Sequence, residues 1–445
     1  MDEFDLLLIG ATVLTAEPDR PVIDDAMIGI VADRIALLGR RDEFRELPAA
    51  RRRVDLTGRM VTPGLINIHT HAILTVVRGV ADDMGFAPAY TKGVVHGHDI
   101  EAAEAVALAR LGAAEALLAG STLINDSYVH ADATMAPMAE LGLRVQSCGR
   151  IHDVDFTRVH EGIWEHDESI GEATLDAALA LAECWHGAAK GRIGVPLAAH
   201  APDTCSDRLL RRVAEESARR NLRVSTHLAQ SRVEVERIRE RSNRTPSELL
   251  DDCGLLNERL IAAHGIWLTD ADIERVGRSG MTLAHVPIGN ATGATIAPTA
   301  KLRAAGCAIA IGTDNNNHDM LEAMRWAVAV GRIQAGSVSP DWQPEHALDM
   351  ATRAGAAALG LGEEIGSLRV GKKADLVAVD CRRAHLTPFL RPLGLLVHYA
   401  RGSDVELVMV DGEIVVEDGR LVRADLDEIC REAERAAQAL WARVR

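Results

Sequence analysis

The sequence predicts an α/β protein: a TIM-like (β/α)₈ barrel with a small β-sandwich formed by both termini. Between residues 120 and 315, a short β-rich apolar run followed by an Ala/Leu/Glu/Arg-rich helical segment recurs seven times. One more such run lies upstream, in "VTPGLINIHTHAILTVVRG" (61–79). Eight alternating β and α units over roughly 300 residues fit a closed parallel barrel. No Gly-rich phosphate loop follows any of the runs, which sets aside a doubly wound dinucleotide sheet. Both ends of the chain alternate in the manner of hairpins instead.

In chain order, the first 60 residues hold "DAMIGIVADRIALLG", an alternating hairpin pattern. Pro63-Gly64 is a turn signal before the strand Leu65-Ile66-Asn67-Ile68. The next runs are "STLINDSYV" (121–129), "LRVQSCGRIHD" (143–153), "RIGVPLAAHAP" (192–202) and "LRVSTHLAQ" (222–230). "RLIAAHGIW" (259–267), "MTLAHVPIG" (281–289) and "CAIAIGTDN" (307–315) complete the eight. The connectors carry helix signals. In "TPSELLDDCG", Thr245 is an N-cap, Pro246 the first helical residue, Glu248 the capping-box partner and Gly254 the stop. Residues 366–424 return to hairpin patterns, "GSLRVGKKADLVAVD" and "VELVMVDGEIVVEDGRLV", with Asp-Gly turns. The expected organisation is therefore a sandwich from 1–60 plus 366–424, a barrel over 61–365 and a terminal amphipathic helix over 425–445.

Composition narrows the function classes. The 445 residues are 47% hydrophobic and carry a net charge of −16, which disfavours nucleic acid or anionic membrane as a partner. No apolar run is long enough to span a bilayer, and the acidic start "MDEFDLLLIGATVL" does not read as a secretory signal. The seven cysteines are scattered, without a CxxC, as reduced thiols of a cytoplasmic protein would be. A small-molecule substrate is the expected partner.

The strand ends carry the chemistry. In a barrel the active site lies at the C-terminal ends of the strands. Those ends hold His69 and His71, Asn125 and Asp126, Arg150 and His152, His200, His227, His264, His285 and Asp314. His69 and His71 are two residues apart and share one face of their strand. Imidazole plus one carboxylate suits one divalent metal, zinc first, with iron or manganese as alternatives. The candidate ligands are His69, His71, His227 and Asp314. Such a metal lowers the pKa of bound water and supplies hydroxide at neutral pH. Phe86 and Tyr90 are candidates for the substrate mouth, because aromatics are only 3% of the chain. His96 and His98, in "VVHGHD", repeat the opening spacing but lack its strand, so a loop or helix-start role is favoured. Cys205 reads as a small buried thiol rather than a nucleophile.

The stretches "TPGLINIHTHA", "RGVADD", "HAPDTCSD", "THLAQSRVEVE", "AAHGIWLTD" and "GTDNNNHDM" resemble the amidohydrolase superfamily. Within it, they are most similar to the branch of methylthioadenosine/S-adenosylhomocysteine deaminases and s-triazine hydrolases. The resemblance implies a distorted barrel and a mononuclear metal-dependent hydrolase of the deaminase type, acting on a substituted N-heterocycle. It implies the same four ligands, a catalytic His264 beside the attacking water, and a substrate contact at His200. The fourth strand ends in His200 rather than the lysine of binuclear members, so one metal is expected. Homo-oligomers are common in the superfamily, so a homo-oligomer is expected too.

Four positions depart from the deaminase pattern. Gln230 replaces the glutamate usual three residues after the strand-five histidine. "HVP" at His285-Val286-Pro287 replaces "HNP". The Trp-containing segment after Asp82-Asp83 is missing. His318 stands where a serine is usual. Gln230 is taken as a catalytic-site residue, and His285 and His318 as candidate substrate contacts. An amide cannot carry a proton, so an alternative stays open: the same metal site hydrolysing a urea, carbamate, amide or halogen substituent of a small ring. A non-catalytic metal-binding scaffold is the reading from another class.

Overall fold

A computed structural model describes residues 3–83, 90–315, 317–338 and 340–444. Eight strands form a parallel sheet in chain order: Leu65–Thr70, Ser121–Tyr128, Arg144–Ile151, Leu197–Ala199, Val224–Leu228, Leu260–His264, Thr282–His285 and Ala308–Ile311. All eight runs read from the sequence are strands, and almost every residue in them is buried. The last strand turns back onto the first. Thr313 and Asp314 donate their backbone N–H groups to the His69 carbonyl at 3.1 and 2.9 Å. The Asn67 side chain adds two bonds, donating to Thr313 Oγ1 and accepting from Thr313 N. The sheet is therefore a nearly closed barrel, with an isolated bridge between Thr70 and Asp314 at its seam.

Glycine is required at this closure. A Cβ on Gly312 would lie 2.7 Å from His69 Cβ and 2.9 Å from its carbonyl oxygen. Only a residue without a side chain lets the two backbones approach this closely.

The connecting helices start where their caps fall. Pro246–Asp252 has the Thr245/Glu248 capping box with Pro246 in its first turn. Ser206 caps Asp207–Arg220, and Asn221 ends it in the left-handed conformation.

Both ends of the chain contribute to a second, nine-stranded sheet. Phe4–Leu14 runs parallel to Ala50–Asp55 and Arg59–Pro63, and the remaining pairs are antiparallel. Arg59–Pro63 pairs with Leu376–Asp380, which ties the N-terminal strands to the C-terminal ones. The hydrogen-bonded path is continuous, yet Ile28 and Ile35 share a core with Leu376 and Met409. One sheet therefore curls around its own core, bent where the register shifts at Ile9/Ala11 and Ala378/Val379. The helix Leu426–Val444 buries Ile429, Ala433 and Leu440, and Arg110 on the helix Ala102–Leu118 pairs with Glu432 at 2.8 Å. No helix among the described residues is long and apolar enough to cross a membrane.

One buried charge joins the two sheets. Arg144, at the start of the third barrel strand, makes a bidentate bond to Asp375 at 2.6 and 3.0 Å and also pairs with Asp411. Burial disfavours the cation, but the two carboxylates outweigh it and raise the guanidinium pKa. Removing one partner of such a pair leaves an uncompensated charge in the interior. Asp375→Ala should lower the unfolding free energy by about 3–5 kcal/mol, read as a fall in the urea midpoint.

Candidate active site

Four histidines and one aspartate converge at the C-terminal mouth of the barrel. His71 Nδ1 lies 2.7 Å from the Ser127 carbonyl, and His227 Nδ1 lies 2.6 Å from the His200 carbonyl. A carbonyl only accepts, so both rings carry hydrogen on Nδ1 and present a lone pair at Nε2. Those two Nε2 atoms face each other at 3.4 Å. His69 Nε2 is buried beside them without a hydrogen-bond partner. Asp314 Oδ1 lies 3.4 Å from His71 Nε2 and 3.7 Å from His69 Nε2.

This arrangement demands a cation. A proton shared by His71 and His227 would make an imidazolium, and burial opposes that. Burial and the neighbouring imidazoles hold His69 and His227 well below the ordinary histidine pKa. Burial also lowers His71, with Asp314 opposing. Facing lone pairs, an orphaned buried nitrogen and an adjacent carboxylate are what a divalent metal needs. The carbonyls behind His71 and His227 fix their tautomers, as partners behind metal-bound histidines do. His69, His71, His227 and Asp314 could thus hold one ion.

His264 completes the group. Its Nδ1 donates to Asn290 Oδ1 at 2.9 Å, and its Nε2 lies 3.9 Å from Asp314 Oδ2. Both His264 (φ 75°) and Asp314 (φ 63°) adopt the left-handed backbone conformation. Such strain in non-glycine residues is concentrated at functional sites. At His264 it brings to the barrel mouth a side chain that the strand's alternation, with Ala263 inside and Ala262 outside, would carry outward.

A cavity of about 300 Å³ opens above this centre. His71, His227, His264 and Asp314 contribute to its floor, and His200, Gln230 and Tyr90 also line it. His200 Nδ1 lies 2.8 Å from Thr204 Oγ1. Tyr90 stacks on Trp164 with ring centroids 5.6 Å apart, and its hydroxyl lies 3.5 Å from Gln230 Nε2. Phe86 lies outside the described residues.

Two candidate substrate contacts stand away from the cavity. Ala284 packs with Ile66, Ile68, Leu123, Ala263 and Ala310, drawn from strands around the barrel, while Leu283 belongs to the outer core. Strand alternation therefore gives His285 the outer side, with both ring nitrogens buried and unpartnered. Burial pushes its pKa down to about 4. His318 is also fully buried outside the cavity lining, with Nδ1 3.4 Å from Glu115 Oε2. Burial raises the Glu115 carboxyl, but His318 and Arg78 outweigh it and hold the pKa at about 2. His318 thus packs against the carboxylate of the helix Ala102–Leu118.

Several residues in or behind the cavity wall were given no role by sequence. Arg150 stands at the end of the third strand, its guanidinium over the rings of Tyr128 and Phe156 at 4.6 and 4.5 Å. Its strand-end position was a signal, but spacing gave it no role. Asn290 orients His264 from a helix that no motif flagged. Glu234 is fully buried and accepts the backbone N–H groups of Ala229 and Gln230 at 2.7 and 2.8 Å. Burial, then the nearby Asp203 carboxylate, push its pKa up to about 8. This carboxyl fixes the turn that presents Gln230.

His227→Ala and Asp314→Ala should each weaken retention of a divalent ion, measured by mass spectrometry of the metal retained after dialysis.

Residues 60–415 match the model of the amidohydrolase family. The chain is 33% identical over 453 aligned residues to a 5'-deoxyadenosine deaminase of Methanosarcina barkeri, covering 99% of both chains. It is 36% identical over 416 residues to a 5-methylthioadenosine/S-adenosylhomocysteine deaminase of Moorella thermoacetica, covering 92% of this chain and 94% of the relative. A crystal structure of an adenosine deaminase from Xanthomonas campestris with bound zinc superposes with a TM-score of 0.87 at 28% identity, covering 99% of both chains. The atrazine chlorohydrolase TrzN of Arthrobacter aurescens TC1 shares the fold, with a TM-score of 0.87 at 23% identity over 97% of this chain and all of that one. With the barrel, its histidine-rich mouth and these relatives in agreement, the chain belongs to the amidohydrolase family and is a metal-dependent hydrolase.

Proposed function

We propose that this protein is a mononuclear zinc-dependent aminohydrolase that removes the exocyclic amine of an adenosine-type N-heterocycle. The observation that carries the proposal is the convergence of His69, His71, His227 and Asp314 beneath a nucleoside-sized cavity. Whole-chain relatives named as deaminases of adenosine derivatives support the substrate class. The seven cysteines are all unpaired, which supports residence in the reducing cytoplasm.

A divalent ion bound by the four ligands would supply Lewis acidity and lower the pKa of water at the site. The protein's own groups do the rest. Asn290 holds the His264 proton on Nδ1, leaving Nε2 as the base that faces Asp314. His264 and Asp314 are placed to take the proton of the attacking water and return it to the leaving amine. Gln230, whose backbone N–H is held by Glu234, offers a side-chain amide that can hydrogen-bond a ring nitrogen but cannot deliver a proton to it. His200 and Tyr90 complete the wall that orients the ring.

Gln230 also favours a second reading: the same centre acting on a urea, carbamate, amide or halogen substituent, for which ring protonation is dispensable. An assay of ammonia release separates the two. The metal-loaded protein should release ammonia from adenosine, 5'-deoxyadenosine or their thioether analogues. Silence across amino-substituted purines, pterins, pyrimidines and triazines, with metal bound, would move the function to the second reading. Gln230→Glu should leave ammonia release within tenfold of the parent; a larger gain would show that the amide is not suited to this reaction. His264→Ala should lower kcat about 10²- to 10⁴-fold without loss of zinc.

A further inference from the structure

Trp164 does not line the active-site cavity, yet three segments of the chain meet on its indole. The Tyr90 ring, which does line the cavity, stacks on it with planes 16° apart. The Arg237 guanidinium lies over the indole, 4.1 Å from the ring centroid. The indole N–H donates to Oδ2 of Asp203, a buried carboxylate just after the fourth strand, at 3.2 Å.

The segment that carries Trp164, beginning with the short helix Phe156–Val159, is fastened on both sides of the indole. Before it, the Gly162 carbonyl accepts from Arg237 Nη2 at 3.0 Å. After it, His166 sits between two charged groups. Its Nδ1 lies 2.6 Å from Asp153 Oδ1, and its Nε2 lies 2.9 Å from Arg241 Nη1. A carboxylate accepts and a guanidinium donates, so both ring nitrogens are satisfied. Arg237 and Arg241 share one face of the helix Arg232–Ser242, which begins just after Gln230. The contacts therefore close a circuit. Gln230 Nε2 lies 3.5 Å from the Tyr90 hydroxyl, Tyr90 stacks on Trp164, and Trp164 carries Arg237, which returns to Gln230 along the helix.

We propose that Trp164 is a positioning residue for substrate binding, which fixes the Tyr90 ring as the wall against which the substrate's heterocycle rests. The role rests on the reading of the cavity given above. An indole held by Arg237 and Asp203 gives Tyr90 one orientation before substrate arrives, so less ordering is left for the binding step. Trp164 acts through Tyr90 rather than on the reacting atoms. Its loss weakens binding of substrate and transition state alike, and shows in KM rather than in kcat.

The test uses the full-length, zinc-loaded protein and tetranitromethane, which nitrates tyrosine through its phenolate, with each site read by peptide mass spectrometry. The chain has three tyrosines: Tyr90, Tyr128 and Tyr399. Burial holds the Tyr90 and Tyr128 hydroxyls above the ordinary tyrosine pKa, whereas Tyr399 is 56% exposed and serves as the reference. Trp164→Ala should raise nitration of Tyr90 about fivefold relative to Tyr399, with Tyr128 unchanged. Trp164→Phe keeps a ring to stack and should stay at the wild-type level. Unchanged labelling of Tyr90 in Trp164→Ala would overturn the proposal. If Tyr128 also becomes reactive, that variant has lost its fold and Arg237→Ala decides: a rise at Tyr90 alone supports the proposal, and no rise overturns it. In ammonia release, Trp164→Ala should raise KM about tenfold with kcat within about threefold, and Trp164→Phe should restore KM. An unchanged KM, or a loss confined to kcat, would overturn the role in binding. A wild type that releases no ammonia would overturn the substrate reading instead, and the labelling would still decide whether Trp164 positions Tyr90.

Discussion

The closure of the eighth strand on the first is the constraint on which the rest of this molecule depends. The His69 carbonyl accepts two consecutive N–H groups, from Thr313 and Asp314. Those bonds complete the barrel and in the same step bring the Asp314 carboxylate next to His69 and His71. Gly312 permits the approach and Asn67 locks it from within. Barrel closure and the convergence of the candidate metal ligands thus rest on the same contacts.

The second constraint is tautomeric. Buried imidazoles are costly unless their polar atoms are satisfied. Here the protein satisfies Nδ1 of His71, His227 and His264 with a neighbouring oxygen and leaves Nε2 toward the centre. Burial keeps His69, His71 and His227 neutral, so lone pairs rather than protons accumulate at one point. A cation is the physical resolution of that concentration, and the strained backbones of His264 and Asp314 are held in place around it.

The wall of the cavity is organised by a buried acid that does not touch it. Glu234 receives the backbone of Ala229 and Gln230, so the amide of Gln230 is presented on a fixed turn. Gln230 in turn reaches Tyr90, which stacks on Trp164, and the segments bearing those rings meet again at the His96–His160 stack. The chain of contacts runs from strand five past the cavity wall toward the outer surface.

The sequence by itself determined the eight strands, their order and the residue types at their ends. Period-two apolar runs, capping boxes and His or Asp at strand termini are local signals, and they do not need the rest of the chain to be read. It also offered His69, His71, His227 and Asp314 as candidate metal ligands, because a barrel gathers the C-terminal ends of all its strands in one place. Only the tertiary structure decided which strand-end side chains turn inward. His264 and Asp314 enter the mouth through left-handed backbone, whereas His285 follows the regular alternation outward. The burial of His318 against Glu115, the support of Gln230 by Glu234 and of His264 by Asn290, and the curl of the terminal strands into one sheet were likewise decided there. These features depend on contacts between residues distant in sequence, or on backbone torsions that tertiary packing imposes, and local periodicity carries no record of either.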